Sequence, residues 1–166
     1  MQKEYFMEIA ITQAEAALSK GEFPVGCVIA DQREVIATGA RQGSAGGRPN
    51  EVDHAEILAL RNLSVQDRQV DKNELTIFST MEPCLMCFGA IILSGIPKIV
   101  YAFEDVMGGG LSCNLINLKP LYRNARVQIF PNVLREKSLM LFRRFFQNPK
   151  NDYWKGSLLA RYTLEQ

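Results

Sequence analysis

The chain predicts an α/β fold, a three-layer α/β/α sandwich around a five-stranded mixed sheet. Two β-rich runs, 25–30 and 34–40, flank the polar stretch Asp31-Gln32-Arg33 and read as an antiparallel hairpin. A strand at 75–80, a helix at 83–94 and a strand at 98–103 then follow in an order that demands a right-handed crossover between parallel strands. A fifth run at 127–130 completes the sheet, and helices before, between and after the strands supply the outer layers. The 166 residues suit one domain over 1–166, since burial of roughly 70% of the unfolded surface at this size sustains a core without staples.

Each element has its own signal. Residues 4–20 place Phe6, Ile9, Ala10, Ala16 and Ala17 at helical spacing and stop at Gly21. A glycine-rich loop, 41–52, leads to a helix for which Asp53 is the expected N-cap and Ala55, Leu58, Ala59 and Leu63 the expected buried face. The helix at 83–94 opens on Pro83 and stops at Gly95 with Pro97 beyond, the usual asymmetry of helix ends. After Gly108-Gly109-Gly110, an amphipathic helix from about 133 to 146 carries Leu139, Leu141, Phe142, Phe145 and Phe146, a stripe expected in the core or a subunit interface. The tail from 147 to 166 is read as a helical extension, with Tyr153, Trp154, Leu158, Leu159 and Tyr162 apolar enough to pack. No linker, repeat or low-complexity stretch interrupts the chain.

Composition bounds the function. The longest apolar run, 88–93, is too short to cross a bilayer, and the opening Met1-Gln2-Lys3-Glu4 is not an apolar signal segment, so the expectation is a cytoplasmic protein with no membrane partner. Charge is balanced overall but polarised: residues 1–118 carry nine Lys/Arg and fifteen Asp/Glu, residues 119–166 ten and three. The basic segment, with Arg123, Arg126, Arg135, Lys137, Arg143 and Arg144, fits either a polyanion-binding surface or a helix paired with the acidic body.

The chemistry concentrates in His54-Ala55-Glu56 and, thirty positions after the histidine, Pro83-Cys84-Leu85-Met86-Cys87. Imidazole and two thiolates suit a borderline-soft cation such as zinc, and three protein ligands leave the fourth tetrahedral position open for water. An ion there brings the water's pKa from about 16 toward about 7. Glu56, two residues from His54, is placed to move protons between that water, a ring nitrogen and a departing amine. Each half of the pattern has a rival. Asp53-x-x-Glu56 fits a capping box, and Cys84-x-x-Cys87 fits a redox pair. The single histidine at the ligand position, the two helix starts and Pro83 favour metal, because either rival leaves half the pattern unexplained. Cys27 reads as a small buried hydrophobe, and Cys113 has no assigned role.

With Phe23-Pro24-Val25-Gly26 ahead of the histidine motif and Met81-Glu82-Pro83-Cys84-Leu85-Met86-Cys87 after it, the chain resembles the cytidine deaminase superfamily of zinc-dependent nucleobase deaminases. In motif it is most similar to the bacterial tRNA-adenosine deaminases. The resemblance covers most of residues 1–146 and implies a cytidine deaminase-like fold and one zinc per chain on His54, Cys84 and Cys87. It also implies Glu56 as the catalytic residue and a homodimer. It departs in two places. Where most of the family carries a base- or ribose-holding asparagine, this chain reads Gly39-Ala40-Arg41-Gln42. Where tRNA deaminases carry a loop lysine, it reads Asp105-Val106-Met107-Gly108. The reading is therefore a zinc-dependent hydrolytic deaminase that removes the exocyclic amine of a nucleobase-type heterocycle, a free base, nucleoside or related small molecule, releasing ammonia. The alternative within the class is the wobble adenosine of tRNA. The alternative outside it is a non-catalytic zinc or redox-active binding protein.

Overall fold

In a computed structural model, residues 2–67 and 69–166 are described. Helix α1 (Gln2–Ser19) precedes the hairpin β1 (Gly26–Ala30) and β2 (Val35–Ala40), followed by α2 (Ala55–Ser64), β3 (Thr76–Met81), α3 (Leu85–Ser94) and β4 (Lys98–Phe103). A short α4 (Pro120–Arg123), β5 (Gln128–Phe130), α5 (Arg135–Gln147) and α6 (Leu158–Glu165) complete the order. The sheet runs β2-β1-β3-β4-β5, antiparallel between β1 and both its neighbours and parallel from β3 through β5, which is the mixed sheet expected.

The two faces of the sheet follow the period-2 rule. Val28, Ala30, Phe78, Val100 and Ala102 turn to α1 and to Leu141 of α5. Cys27, Ile29, Ile77, Ile99 and Phe103 turn to the opposite face, where Ala55 and Ala59 of α2 and Phe88 and Ile91 of α3 pack. These two apolar layers make the α/β/α sandwich. Phe23 joins the second layer to the aromatic stripe of α5, with ring centroids 5.1 Å from Phe142 and 5.2 Å from Phe145, so that stripe is core. The tail packs too: Leu159 of α6 is buried in the same cluster.

Several boundaries differ from expectation for local reasons. α1 buries Met7, Ile11 and Ala14, whereas Ile9 is half-buried and Ala16 exposed. α2 starts one residue later than an Asp53 cap requires: His54 is the N-cap, without a side-chain capping bond, and Asp53 instead accepts from Asn50 (2.6 Å) and Arg61 (2.9 Å). Its buried residues are Ala55, Glu56 and Ala59, with Leu58 and Leu63 half-buried. Small residues are needed there because α2 lies against β2 at close range; a Cβ on Gly39 would come within 2.1 Å of the Ala55 carbonyl oxygen. α3 starts at Leu85 with Cys84 as N-cap, and α5 starts at Arg135 because Leu134 takes a left-handed φ of 57°. In the tail, only Leu158–Glu165 is helical, capped by Ser157, whose hydroxyl accepts from the Ala160 N–H.

Candidate metal centre and its pocket

The motif residues meet because α2 and α3 both begin at the same end of the sheet. β3 ends at Met81, two residues before Pro83, and the Glu82 N–H bonds to the Phe103 carbonyl at the end of β4 (2.7 Å). This is the strand end where open α/β sheets hold their ligands. The loop after β4 closes over the start of α3, where the Gly110 N–H donates to the Pro83 carbonyl (2.9 Å). Gly110 is required by proximity: a Cβ there would stand 2.4 Å from the Leu85 nitrogen.

His54 Nδ1 lies 3.6 Å from Cys84 Sγ and 3.5 Å from Cys87 Sγ, and the three donor atoms all lie within 4.8 Å of one another. Tetrahedral zinc with Zn–S of about 2.3 Å and Zn–N of about 2.0–2.1 Å sets its sulfur and nitrogen ligands about 3.6 Å apart, so the donor set fits that ion. The electrostatics also suit a cation. The Cys87 thiol bonds to Cys84 and holds the latter's pKa down to about 4, while that bond and burial push Cys87 up. The pair thus keeps one thiolate and shares one proton, which a metal displaces. The hydrogen bond to Cys84 raises His54.

Glu56 is buried, at 3% exposure, and burial raises its pKa. Its Oε1 accepts from the Ser79 hydroxyl (2.9 Å), and its Oε2 lies 3.6 Å from Cys87 Sγ. A capping box would turn this carboxylate back to the Asp53 amide. It points instead to the metal ligands. Cys27 is fully buried and held as a thiol by burial and by Glu56. Cys113 is half-buried against the core.

A cavity of about 210 Å³ opens above the triad. Phe23, Val25, Ala55, Met81 and Met107 give it apolar walls, and His54, Glu56 and Cys84 form part of its lining. Sequence reasoning singled out the stretches with Arg41 and Asp105–Gly108 as departures from the family but missed the rest of the wall. Arg41 is 2% exposed although it directly follows the edge strand β2, and Glu51, Glu82 and Asp105 also line the cavity. Tyr153, Trp154 and Leu159 come from the tail. Tyr153 Oη donates to Glu51 Oε2 (2.9 Å) and accepts from Arg41 Nη2 (3.4 Å). Burial raises the Tyr153 pKa, which keeps the phenol protonated as a donor. The basic segment is partly consumed within the fold, with Arg135 on Glu104 and Lys137 on Glu8.

The cytidine and deoxycytidylate deaminase zinc-binding region matches residues 1–103. The chain belongs to this family. A tRNA-specific adenosine deaminase of Streptococcus pyogenes serotype M1 is 33% identical over 146 residues, 88% of this chain and 84% of that one. Its counterpart in Aquifex aeolicus is 29% identical over 154 residues, covering 92% and 99%. Among solved structures, one from studies of A-to-I editing by tRNA:A34 deaminases superposes with a TM-score of 0.62 at 25% identity, over 82% of this chain and 98% of that one. The guanine deaminase from Nitrosomonas europaea superposes with a TM-score of 0.65 at 21% identity, over 86% and 83%, a likeness of fold. The protein is a zinc-dependent deaminase of the cytidine deaminase superfamily, and the redox reading of Cys84 and Cys87 falls with that assignment.

Proposed function

We propose that the protein deaminates a small, free heterocyclic amine, a base, nucleoside or related compound, with residues 1–166 acting as one catalytic unit. The observation that carries this reading is the tail across the cavity: Tyr153, Trp154 and Leu159 wall it, and Tyr153 is tied to Glu51. At about 210 Å³ the space is smaller than the 300–1,000 Å³ typical of sites for drug-sized ligands. Its carboxylates, Glu51, Glu82 and Asp105, also oppose the phosphates that flank any base presented on a polynucleotide. A second reading, deamination of the wobble adenosine of tRNA, is favoured by the S. pyogenes and A. aeolicus relatives, and it requires the tail to swing aside.

In the reaction, water adds to the ring carbon bearing the amine, the C–N bond breaks, and ammonia leaves as the ring gains a carbonyl. His54, Cys84 and Cys87 would hold the zinc ion, which when bound would supply a polarised water at neutral pH. Glu56 takes the water's proton, passes it to the ring nitrogen, and delivers the second proton to the leaving amine. Ser79 holds Oε1, which fixes the carboxylate's orientation through both transfers. The apolar walls keep bulk water from competing for those protons.

The test is ammonia release by the zinc-loaded protein from free bases, nucleosides, pterins and tRNA at two salt concentrations. Turnover of a free compound, with little salt dependence, is expected. Steeply salt-dependent deamination of tRNA alone overturns the small-molecule reading in favour of the second. The working form is a homodimer: α3 is apolar nearly all round, yet Leu85 and Leu93 are each 61% exposed, an arrangement that calls for cover. Sedimentation should give a two-chain mass, and Leu93→Glu should shift it toward one.

A further inference from the structure

We propose that Arg41 is a specificity-determining residue of this pocket. Its guanidinium donates through Nη2 to a carbonyl oxygen on the edge of a neutral amino-oxo heterocycle, away from the amine that leaves. The inference rests on the deaminase of free heterocycles proposed above and names the substrate class of the same site.

Arg41 directly follows β2, and its side chain is nearly inaccessible while lining the cavity that holds His54 and Glu56. Its plane is fixed from one side. Nη1 donates to the main-chain oxygens of Gln42 and Asp53, the second at 3.0 Å. The other side is loosely held: Nη2 reaches Tyr153 Oη at 3.4 Å and Glu51 at 3.5 Å, and the Glu51 side chain is 51% exposed. Contacts of that length are at the weak limit of hydrogen bonding. On that side Arg41 has, among the described residues, only these long contacts and its place over the Tyr153 ring (5.9 Å to the centroid), so a closer acceptor there gains a charge-assisted hydrogen bond. The Nη2 hydrogens are therefore the donors available to a ligand.

The charge of the pocket decides what kind of acceptor it is. Arg41 is the single Lys or Arg among the described lining residues, facing Glu51, Glu56, Glu82 and Asp105. A carboxylate or phosphate on the substrate would meet those four acids as well as the one cation. A neutral carbonyl oxygen satisfies an Nη2 hydrogen without adding charge. An asparagine could both donate and accept at this position. Arginine only donates, so it rejects a ring edge that presents an N–H or amino donor.

The test measures binding of guanine and of 2-aminopurine, which keeps the ring and the amine but lacks the oxygen, to zinc-loaded Glu56→Gln protein in which turnover is suppressed. Guanine should bind at least about 10-fold tighter, the effect of one hydrogen bond to a charged donor. Adding Arg41→Gln should bring the ratio within about 3-fold at unchanged zinc content. Arg41→Lys, which keeps the charge but loses the fork, should restore only part of it, and it replaces Arg41→Gln if that variant does not fold. An unchanged ratio in the Arg41 variants overturns the assignment, as does equal or absent binding of the two purines. Separately, wild-type protein is assayed for ammonia from both compounds. No release from either or from the nucleosides and pterins assayed above, with guanine binding still dependent on Arg41, sinks the deaminase of free heterocycles and leaves the Arg41 contact standing. Release with the same guanine preference in wild type and Arg41→Gln sinks Arg41 alone.

Discussion

The metal triad and the tail wall lie on the same cavity but are built differently. The triad is local: two helix starts, each fixed by its own few residues, bring His54, Cys84 and Cys87 within 4.8 Å. The wall is assembled over distance, with Arg41 reaching Tyr153 across 112 positions of sequence. The chemistry is thus carried by short segments that any member of the family can keep, whereas the substrate surface depends on a hairpin end and a tail that can change without touching the metal. The family match ends at residue 103, so it takes in the triad and Arg41 but not Tyr153 and Trp154.

The largest expected effect separates the two regions outright. Chelating the metal, or replacing Cys84 with Ser, should abolish ammonia release and lower the melting temperature by about 10 °C, since binding at 1,000 times Kd stabilises by about 4 kcal/mol and a chain of this size shifts about 2–4 °C per kcal/mol. Calorimetry with and without added zinc measures it. A metal-free preparation that remains active would break the division, because chemistry would then not reside in the triad.

A smaller effect sharpens the same division within the triad's neighbourhood. Glu56→Gln should retain about one zinc per chain and the wild-type fold yet lose at least about 10²-fold in kcat, because proton transfer by a positioned carboxyl contributes about 10²–10⁴-fold. Metal analysis beside steady-state kinetics measures both. Near-normal turnover would return Glu56 to a purely structural part, bonded to Ser79.

What the sequence disclosed follows the same line. The hairpin, the parallel pair β3 and β4 and the meeting of His54, Cys84 and Cys87 were legible because each rests on contiguous patterns: alternating apolar runs, Pro and Gly at helix ends, and residue spacing. The N-cap of α2 was misread because Asp53 has two partners, Asn50 and Arg61, that compete with the helix for its carboxylate. The pocket wall was legible only through the resemblance, which singled out the stretches holding Arg41 and Asp105–Gly108 but not their burial or the tail. Nothing in Arg41-Gln42 signals burial, and the tail, read only as apolar enough to pack, gives no sign of where it packs; Phe23 and Leu159 in the core set that. The basic segment left two readings open for a related reason, since composition counts charges but not their partners.

The smallest effect tests how the tail is fastened. Glu104, just past β4, accepts from Arg135 Nε (2.8 Å) and Nη2 (2.5 Å) and from Tyr162 Oη of α6 (2.5 Å). The Arg135 guanidinium, ahead of the Tyr162 hydroxyl, holds its carboxyl at about 2, against an ordinary 4.5. A carboxyl depressed in the folded state contributes stability that is complete above about pH 4.5 and fades as the pH falls through 2. The Glu104 side chain is 23% exposed, so solvent screening limits the contribution to about 1 kcal/mol. Urea unfolding of wild type and Glu104→Gln should therefore differ by about 1 kcal/mol at pH 7, with the gap closing between pH 4.5 and 2. Zinc loss in acid affects both proteins alike and cancels in the difference. Zinc content at pH 7 should be unchanged, because the contact secures α6 and not the ligands. A gap that stays constant across that range would show that α6 is held by Leu159 and its apolar neighbours alone, and that the tail, like the triad, is fixed without long-range charge.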